Sequence, residues 1–252
     1  MARAAVLGRL TWQLGEVVEL VRETPRVASL VLEVPGWTGH RAGQHVDVRL
    51  TAEDGYQAQR SYSIASAPED RQLILTVERL DDGEVSPYLA DELRAGDELE
   101  LRGPIGGYFV WERSLTDPLD LIAGGSGIVP FRAMLRHWAA GSRPASADGP
   151  RLLYSSRSLE EAIYREELMR LAAEGGVDVR LALTREWPAD WQGHRGRIDR
   201  PLLESVTWAA DLQPLVYVCG PTSFVETVAE TLVALGHQPA RIRTERFGPT
   251  GT

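Results

Sequence analysis

The chain has 252 residues, 43% hydrophobic and 25% charged, the balance of a globular protein with room for one large domain or two of ordinary size. Asp and Glu outnumber Lys and Arg by 36 to 27, a net charge of −9 that argues against nucleic acid as the main partner. The single cysteine, Cys219, excludes an intrachain disulfide and a cysteine-ligated iron–sulfur cluster on this chain. Five scattered histidines without ligand-like spacing give no metal site. No apolar run approaches the roughly 20 residues that span a bilayer. The apolar patch within residues 1–10 is broken at once by Thr11, Gln13 and Glu16, with no signal-peptide core, so the protein is read as cytoplasmic and without a membrane partner. A monomer is expected.

In chain order, the first half reads as β structure. Alternating apolar segments predict strands over 17–21, 27–34, 45–50, 59–65, 73–79 and 98–102, with Pro25 and Pro35 as punctuation. Six short antiparallel strands at close spacing predict a small barrel. One helix is expected over 86–93, with Ser86 as N-cap and Pro87 in the first turn. The grammar changes near residues 114–118. Strands at 119–123, 151–155, 177–183 and 215–219 then alternate with helices at 130–140, 159–174 and 222–235. That alternation predicts a doubly wound parallel sheet. The expected division is a barrel domain over 1–114 and an α/β domain over 115–252.

Three strings carry chemistry. Arg60-Ser61-Tyr62-Ser63 ends a predicted barrel strand and offers a cation, a flat aromatic face and a hydroxyl, the set a flavin site requires. An ordinary strand with an exposed Arg60 and a half-buried Tyr62 fits the same string. Gly124-Gly125-Ser126-Gly127-Ile128 follows a buried strand and opens a helix, where a dinucleotide pyrophosphate binds. Cys219-Gly220-Pro221 also stands at a strand's carboxyl end, where a lone cysteine is more often packing than chemistry. Cofactor preference is set after the second strand of such a domain, by an acid for a free ribose or by cations for a 2′-phosphate. There the chain reads Ser155-Ser156-Arg157-Ser158, the first acid being Glu160, and Arg165 and Arg185 follow. NADPH is therefore expected over NADH, although these arginines can equally pair with Glu160, Glu161 and Glu166 on a solvated face.

Taken together and in this order, the strings resemble the ferredoxin–NADP reductase superfamily over nearly the whole chain. Arg60-Ser61-Tyr62-Ser63 resembles its R-x-Y-S flavin signature. Gly83-Glu84-Val85-Ser86 resembles the G-x-x-S segment that cradles the FAD pyrophosphate, and Gly103-Pro104-Ile105-Gly106-Gly107 the turn that closes the barrel. The resemblance implies FAD on the barrel, with Val77 and Val85 beside it, and a nicotinamide dinucleotide on the second domain. It places Cys219 beside the nicotinamide as a shape element, with Ser63 near the flavin's reactive edge. Phe247 is implied to cover the flavin face opposite Tyr62, with Glu245 as a proton relay; a terminal strand with Phe247 in the core is the competing reading. The implied activity passes electrons from NADPH, or NADH, through FAD to a separate one-electron acceptor, such as a ferredoxin or an oxygenase component. A stand-alone NAD(P)H-dependent flavin or ferric reductase is the alternative, and a non-catalytic electron-transfer subunit a more remote one.

Overall fold

The computed structural model describes residues 10–141, 149–174 and 176–248. The N-terminal segment read for a signal peptide and the tail after Gly248 lie almost wholly outside the described residues.

The first domain is the expected barrel. Its strands are β1 (Gln13–Thr24), β2 (Val27–Glu33), β3 (His45–Thr51), β4 (Gln57–Ser63), β5 (Leu73–Glu78) and β6 (Glu98–Ile105). They pair antiparallel in the order β4-β3-β6-β1-β2-β5, and an Ile64–Leu75 bridge joins the two edges. Alternation turns Leu30, Leu32, Val46, Val48, Leu99 and Leu101 inward. Strand β2 is buried on both faces, because its opposite side, carrying Val27 and Ser29, meets the second domain. Gly103 and Pro104 lie within β6 rather than in a turn after it.

The helix expected over 86–93 forms mainly as a single π-helical turn, Tyr88–Glu92, and Leu89 within it and Leu93 just after it plug the barrel. Ser86 does not cap it. Its hydroxyl instead accepts the Leu80 N–H at 3.1 Å, closing the turn that precedes the helix.

The second domain runs β7 (Leu119–Gly124), α1 (Ile128–Ala139), β8 (Arg151–Ser156), α2 (Arg165–Ala173), β9 (Asp178–Leu183), β10 (His194–Arg195), α3 (Arg200–Val206), β11 (Leu215–Pro221), α4 (Thr222–Ala234) and β12 (Ile242–Phe247). All six strands are parallel, ordered β10-β9-β8-β7-β11-β12. Helices α1 and α2 cover one face through Phe131, Met134, Leu135 and Leu168. Helices α3 and α4 cover the other through Leu203, Val225, Val228 and Leu232. This is the doubly wound arrangement. The strand order reverses between β7 and β11, where such sheets open a ligand crevice.

Helix α2 starts at Arg165, six residues later than expected. Tyr164 takes a left-handed φ of 58°, and the Ile163 N–H is donated to the Tyr154 hydroxyl at 3.1 Å, so residues 159–163 cannot join the helix. Strand β10 and helix α3 were not expected; Asp199 caps α3, its carboxylate accepting the Leu202 N–H at 3.0 Å.

Candidate functional site

At the reversal point, the loop after β7 is pressed against the end of β11. A Cβ on Gly127 would stand 2.2 Å from the Cys219 carbonyl oxygen, so only glycine fits this crossing. Gly125 has φ +55°, and a Cβ there would meet nothing within 4 Å, so its demand is on backbone conformation rather than on space. Among the described residues no side chain caps the N-terminus of α1. The Ile128 N–H is donated to the Gly125 and Ser126 carbonyls and Pro130 has no N–H, so what this end offers an anionic ligand is mainly the positive end of the helix dipole.

Cys219 is 1% exposed, and burial, with Glu245 adding to it, pushes its thiol up. The thiol therefore stays neutral and is no nucleophile. Cys219 pairs in register with Glu245 of β12, and Pro221 with Phe247. Burial pushes the Glu245 carboxyl up to about 7, and its Oε2 has no hydrogen-bond partner among the described residues.

A cleft between the domains collects much of the expected set. Gly124, Gly125, Ser126, Ser156, Arg157, Pro221 and Phe247 line it. Phe247 also packs on the core cluster beneath, so the two readings of it are not exclusive. Ser126 donates its hydroxyl to Glu78 Oε2 at 2.7 Å. Arg165 and Arg185 do not line the cleft and are exposed. Arg165 is displaced by the late start of α2, and Arg185 contributes its backbone N–H to the Arg157 carbonyl at 3.0 Å.

Sequence reasoning missed several lining residues. Glu78, Arg26 and Val27 come from the barrel, and Phe224 from the first turn of α4. Glu161 also lines the cleft, 3.7 Å from Arg157, so the competing reading, in which these arginines pair with nearby acids, holds for Arg157. Its spacing of four residues from Arg157 was the available signal.

On the barrel, Arg60 reaches Glu84 Oε2 at 2.8 Å, and Tyr56 donates its hydroxyl to Glu84 Oε1 at 3.0 Å. The Arg60 segment and the Gly83–Ser86 segment are therefore neighbours. The Arg60–Glu84 pair is half exposed, worth little in itself, and leaves the guanidinium accessible to phosphate. Tyr62 is half-buried at the barrel edge, and burial keeps its hydroxyl protonated. Ser63 is half-buried beside it. Ser61 faces away, donating to Asp47 Oδ1 at 2.7 Å. Val77 and Val85 point into the barrel core, which leaves only their backbones to face a cofactor.

The domains are locked together beside the cleft. The Tyr164 hydroxyl donates to Thr76 Oγ1, which meets Ser29 Oγ at 2.8 Å, and Ser29 donates to Glu23 at 2.6 Å. Arg132 holds Glu167 at 2.7 Å and reaches the Ala65 carbonyl of the barrel at 3.2 Å. Arg136 bridges Glu167 and Asp70 at 2.9 and 2.8 Å. Burial works against the Glu167 carboxylate, but Arg132 and Arg136 hold it below its ordinary range.

A barrel with a cation and a tyrosine at its edge, joined to a parallel sheet with a glycine-lined dinucleotide crevice, defines a flavin- and nicotinamide-binding oxidoreductase. Comparison with known proteins agrees. The oxidoreductase FAD-binding domain matches residues 15–110 and the oxidoreductase NAD-binding domain residues 121–230. The flavohem-like FAD/NAD-binding domain of nitric oxide dioxygenase from Vibrio cholerae superposes with a TM-score of 0.82 at 30% identity, covering 94% of this chain and 99% of that one. The chain is 30% identical to the glycine betaine monooxygenase reductase subunit of Pseudomonas aeruginosa, over 95% of its own length and 66% of the relative's. It is 33% identical to the NADH oxidoreductase HCR of Escherichia coli, over 89% of this chain and 65% of that protein. It thus spans just under two thirds of these two curated relatives. The chain belongs to the family of oxidoreductases that join this FAD-binding domain to this NAD-binding domain.

Among the described residues no helix is long and apolar enough to cross a membrane, and no cluster of His, Cys, Asp or Glu could hold a metal ion.

Proposed function

We propose that the protein passes electrons from NADPH, in preference to NADH, through FAD to a separate one-electron acceptor, a ferredoxin or an oxygenase component. The observation that carries this reading is the convergence of Phe247, Pro221 and the Gly124–Ser126 turn with barrel residues in one interdomain cleft. The Pseudomonas relative, named a monooxygenase reductase subunit, supports an oxygenase component as acceptor. The division of labour is a flavin domain over 1–114 and a nucleotide domain over 115–252.

FAD, when bound, supplies the redox chemistry, accepting a hydride and returning electrons singly. Every other part of the task falls to the chain. Arg60, with the Gly83–Ser86 turn, holds the FAD pyrophosphate, and Tyr62 supplies a flat face for the ring system. Ser63 offers a hydrogen bond at the reactive edge. The α1 N-terminus takes the nucleotide pyrophosphate. Cys219, neutral and buried, shapes the nicotinamide pocket and keeps water out. Glu245 holds a proton up to about neutral pH. Phe247 covers the exposed flavin face when no nicotinamide lies there. Ser155, Ser156 and Arg157 at the β8 end receive the 2′-phosphate, which displaces the weak Glu161 contact. The Escherichia coli relative is named an NADH oxidoreductase, so the nucleotide preference requires its own test.

Purified protein is expected to carry FAD, identifiable by chromatography after heat release. Arg157→Ala is expected to raise KM for NADPH about tenfold with little change for NADH, as loss of a charge-assisted contact implies. A protein that binds no flavin overturns the first part, and equal effects on both nucleotides overturn the second.

A further inference from the structure

Glu78 is the last residue of β5 in the barrel, yet its carboxylate crosses to the nucleotide loop and accepts the Ser126 hydroxyl at 2.7 Å. Its Oε1 makes no hydrogen bond among the described residues, and the side chain lines the interdomain cleft with Gly124 and Gly125. A carboxylate at this position is unexpected beside a helix N-terminus that receives phosphate. It repels phosphate oxygens and accepts only from O–H and N–H donors.

Sheet order shows which donor. Strand β7, which delivers Ser126, lies between β8, which delivers Ser155–Arg157, and β11, which delivers Pro221. A dinucleotide laid across these three strand ends has its adenosine ribose at β8 and its nicotinamide at β11. Its middle, over β7, consists of the pyrophosphate and the nicotinamide ribose. The positive end of the α1 dipole serves the pyrophosphate, and the only hydroxyl donors left in that stretch are those of the ribose.

We propose that Glu78 receives the hydroxyls of the nicotinamide ribose, with Ser126 holding its carboxylate in place. Recognition of the nucleotide is thereby shared with the flavin domain, and binding is tied to the domain docking that brings the two rings together. The inference rests on the function proposed above and adds a contact residue to that site.

The test is a set of dissociation constants for oxidised nucleotides, read from quenching of flavin or tryptophan fluorescence. NADP+ and NAD+ are each compared with their nicotinamide-free counterparts, 2′,5′-ADP and AMP. Glu78→Ala is expected to weaken both dinucleotides by about tenfold, the loss of a hydrogen bond to a charged group. Binding of 2′,5′-ADP and AMP stays as in the wild type. Glu78→Gln, which keeps an acceptor for Ser126, falls between and guards against a folding defect in the alanine variant. Unchanged or tighter dinucleotide binding in both variants overturns the proposal. So does equal weakening of the dinucleotides and their nicotinamide-free counterparts. A wild-type protein that binds no nucleotide at all sinks the underlying function instead.

Discussion

Cys219 and Glu245 are register partners on the adjacent parallel strands β11 and β12, a buried thiol beside a carboxyl that burial raises from 4.5 to about 7. The folded state therefore binds a proton on Glu245 that the unfolded chain releases near pH 4.5. The stabilisation is complete below that pH and is lost as pH rises through about 7. At roughly 1.4 kcal/mol per unit it amounts to about 3 kcal/mol. Glu245→Gln is expected to flatten the fall in stability between pH 5 and pH 8, measured by denaturant melts. An unchanged slope contradicts the assignment.

Asp120 makes a second, independent contribution at the opposite end of the sheet. It is 1% exposed, and burial raises it from 3.8 to about 7 despite the Trp208 N–H at 3.0 Å and the nearby Arg151. The sign is the same, since stability is lost as pH rises from about 4 through 7. Asp120→Asn is expected to stabilise the protein at pH 8 by about 2 kcal/mol while leaving nucleotide affinity alone. Thermal melts at pH 5 and pH 8 decide it: a variant no more stable than wild type at pH 8 refutes the burial argument.

Much of this architecture was legible in the sequence, because its signals are local. Period-two alternation gave away the barrel strands, and buried strands followed by glycine turns gave away the nucleotide sheet. Gly125 and Gly127 announced themselves because a φ of +55° and a 2.2 Å approach to Cys219 are demands on the backbone. What stayed hidden depends on contacts distant in sequence. The start of α2 is set by the Tyr154 hydroxyl taking the Ile163 N–H and by the left-handed Tyr164, whose hydroxyl reaches Thr76 across the domain boundary. Strand β10 is two residues long and has no period to detect. Ser61 looked like a flavin contact until β3 placed Asp47 beside it, and Glu78 joins the cleft only once the domains dock.

Tyr164 tests how the docking is held. Tyr164→Phe removes the hydroxyl that anchors the second domain to the Thr76–Ser29–Glu23 chain. A loss of about 1–2 kcal/mol is expected, the cost of one buried hydrogen bond. FAD content should be unchanged and hydride transfer slower, because one tie between the domains is lost while Thr76 keeps Ser29 and Arg132 and Arg136 keep theirs. Equilibrium unfolding and stopped-flow reduction report the two effects, and unchanged values in both contradict the interlock.

Arg60 separates cofactor binding from folding. Its guanidinium is half exposed and, among the described residues, bonds to Glu84 and the Gln59 carbonyl. Arg60→Ala is expected to weaken FAD binding at least tenfold while the apoprotein's melting temperature stays within the small range of surface substitutions. Flavin titration followed by fluorescence measures the first, and a fully retained FAD places the pyrophosphate elsewhere.

The most direct test is anaerobic mixing of the FAD-loaded protein with NADPH and, separately, NADH, followed through the visible absorption of the oxidised flavin. Rapid bleaching with two electrons taken up per FAD is expected, saturating at lower NADPH than NADH concentration. A flavin that stays oxidised with both nucleotides contradicts electron entry through this cleft.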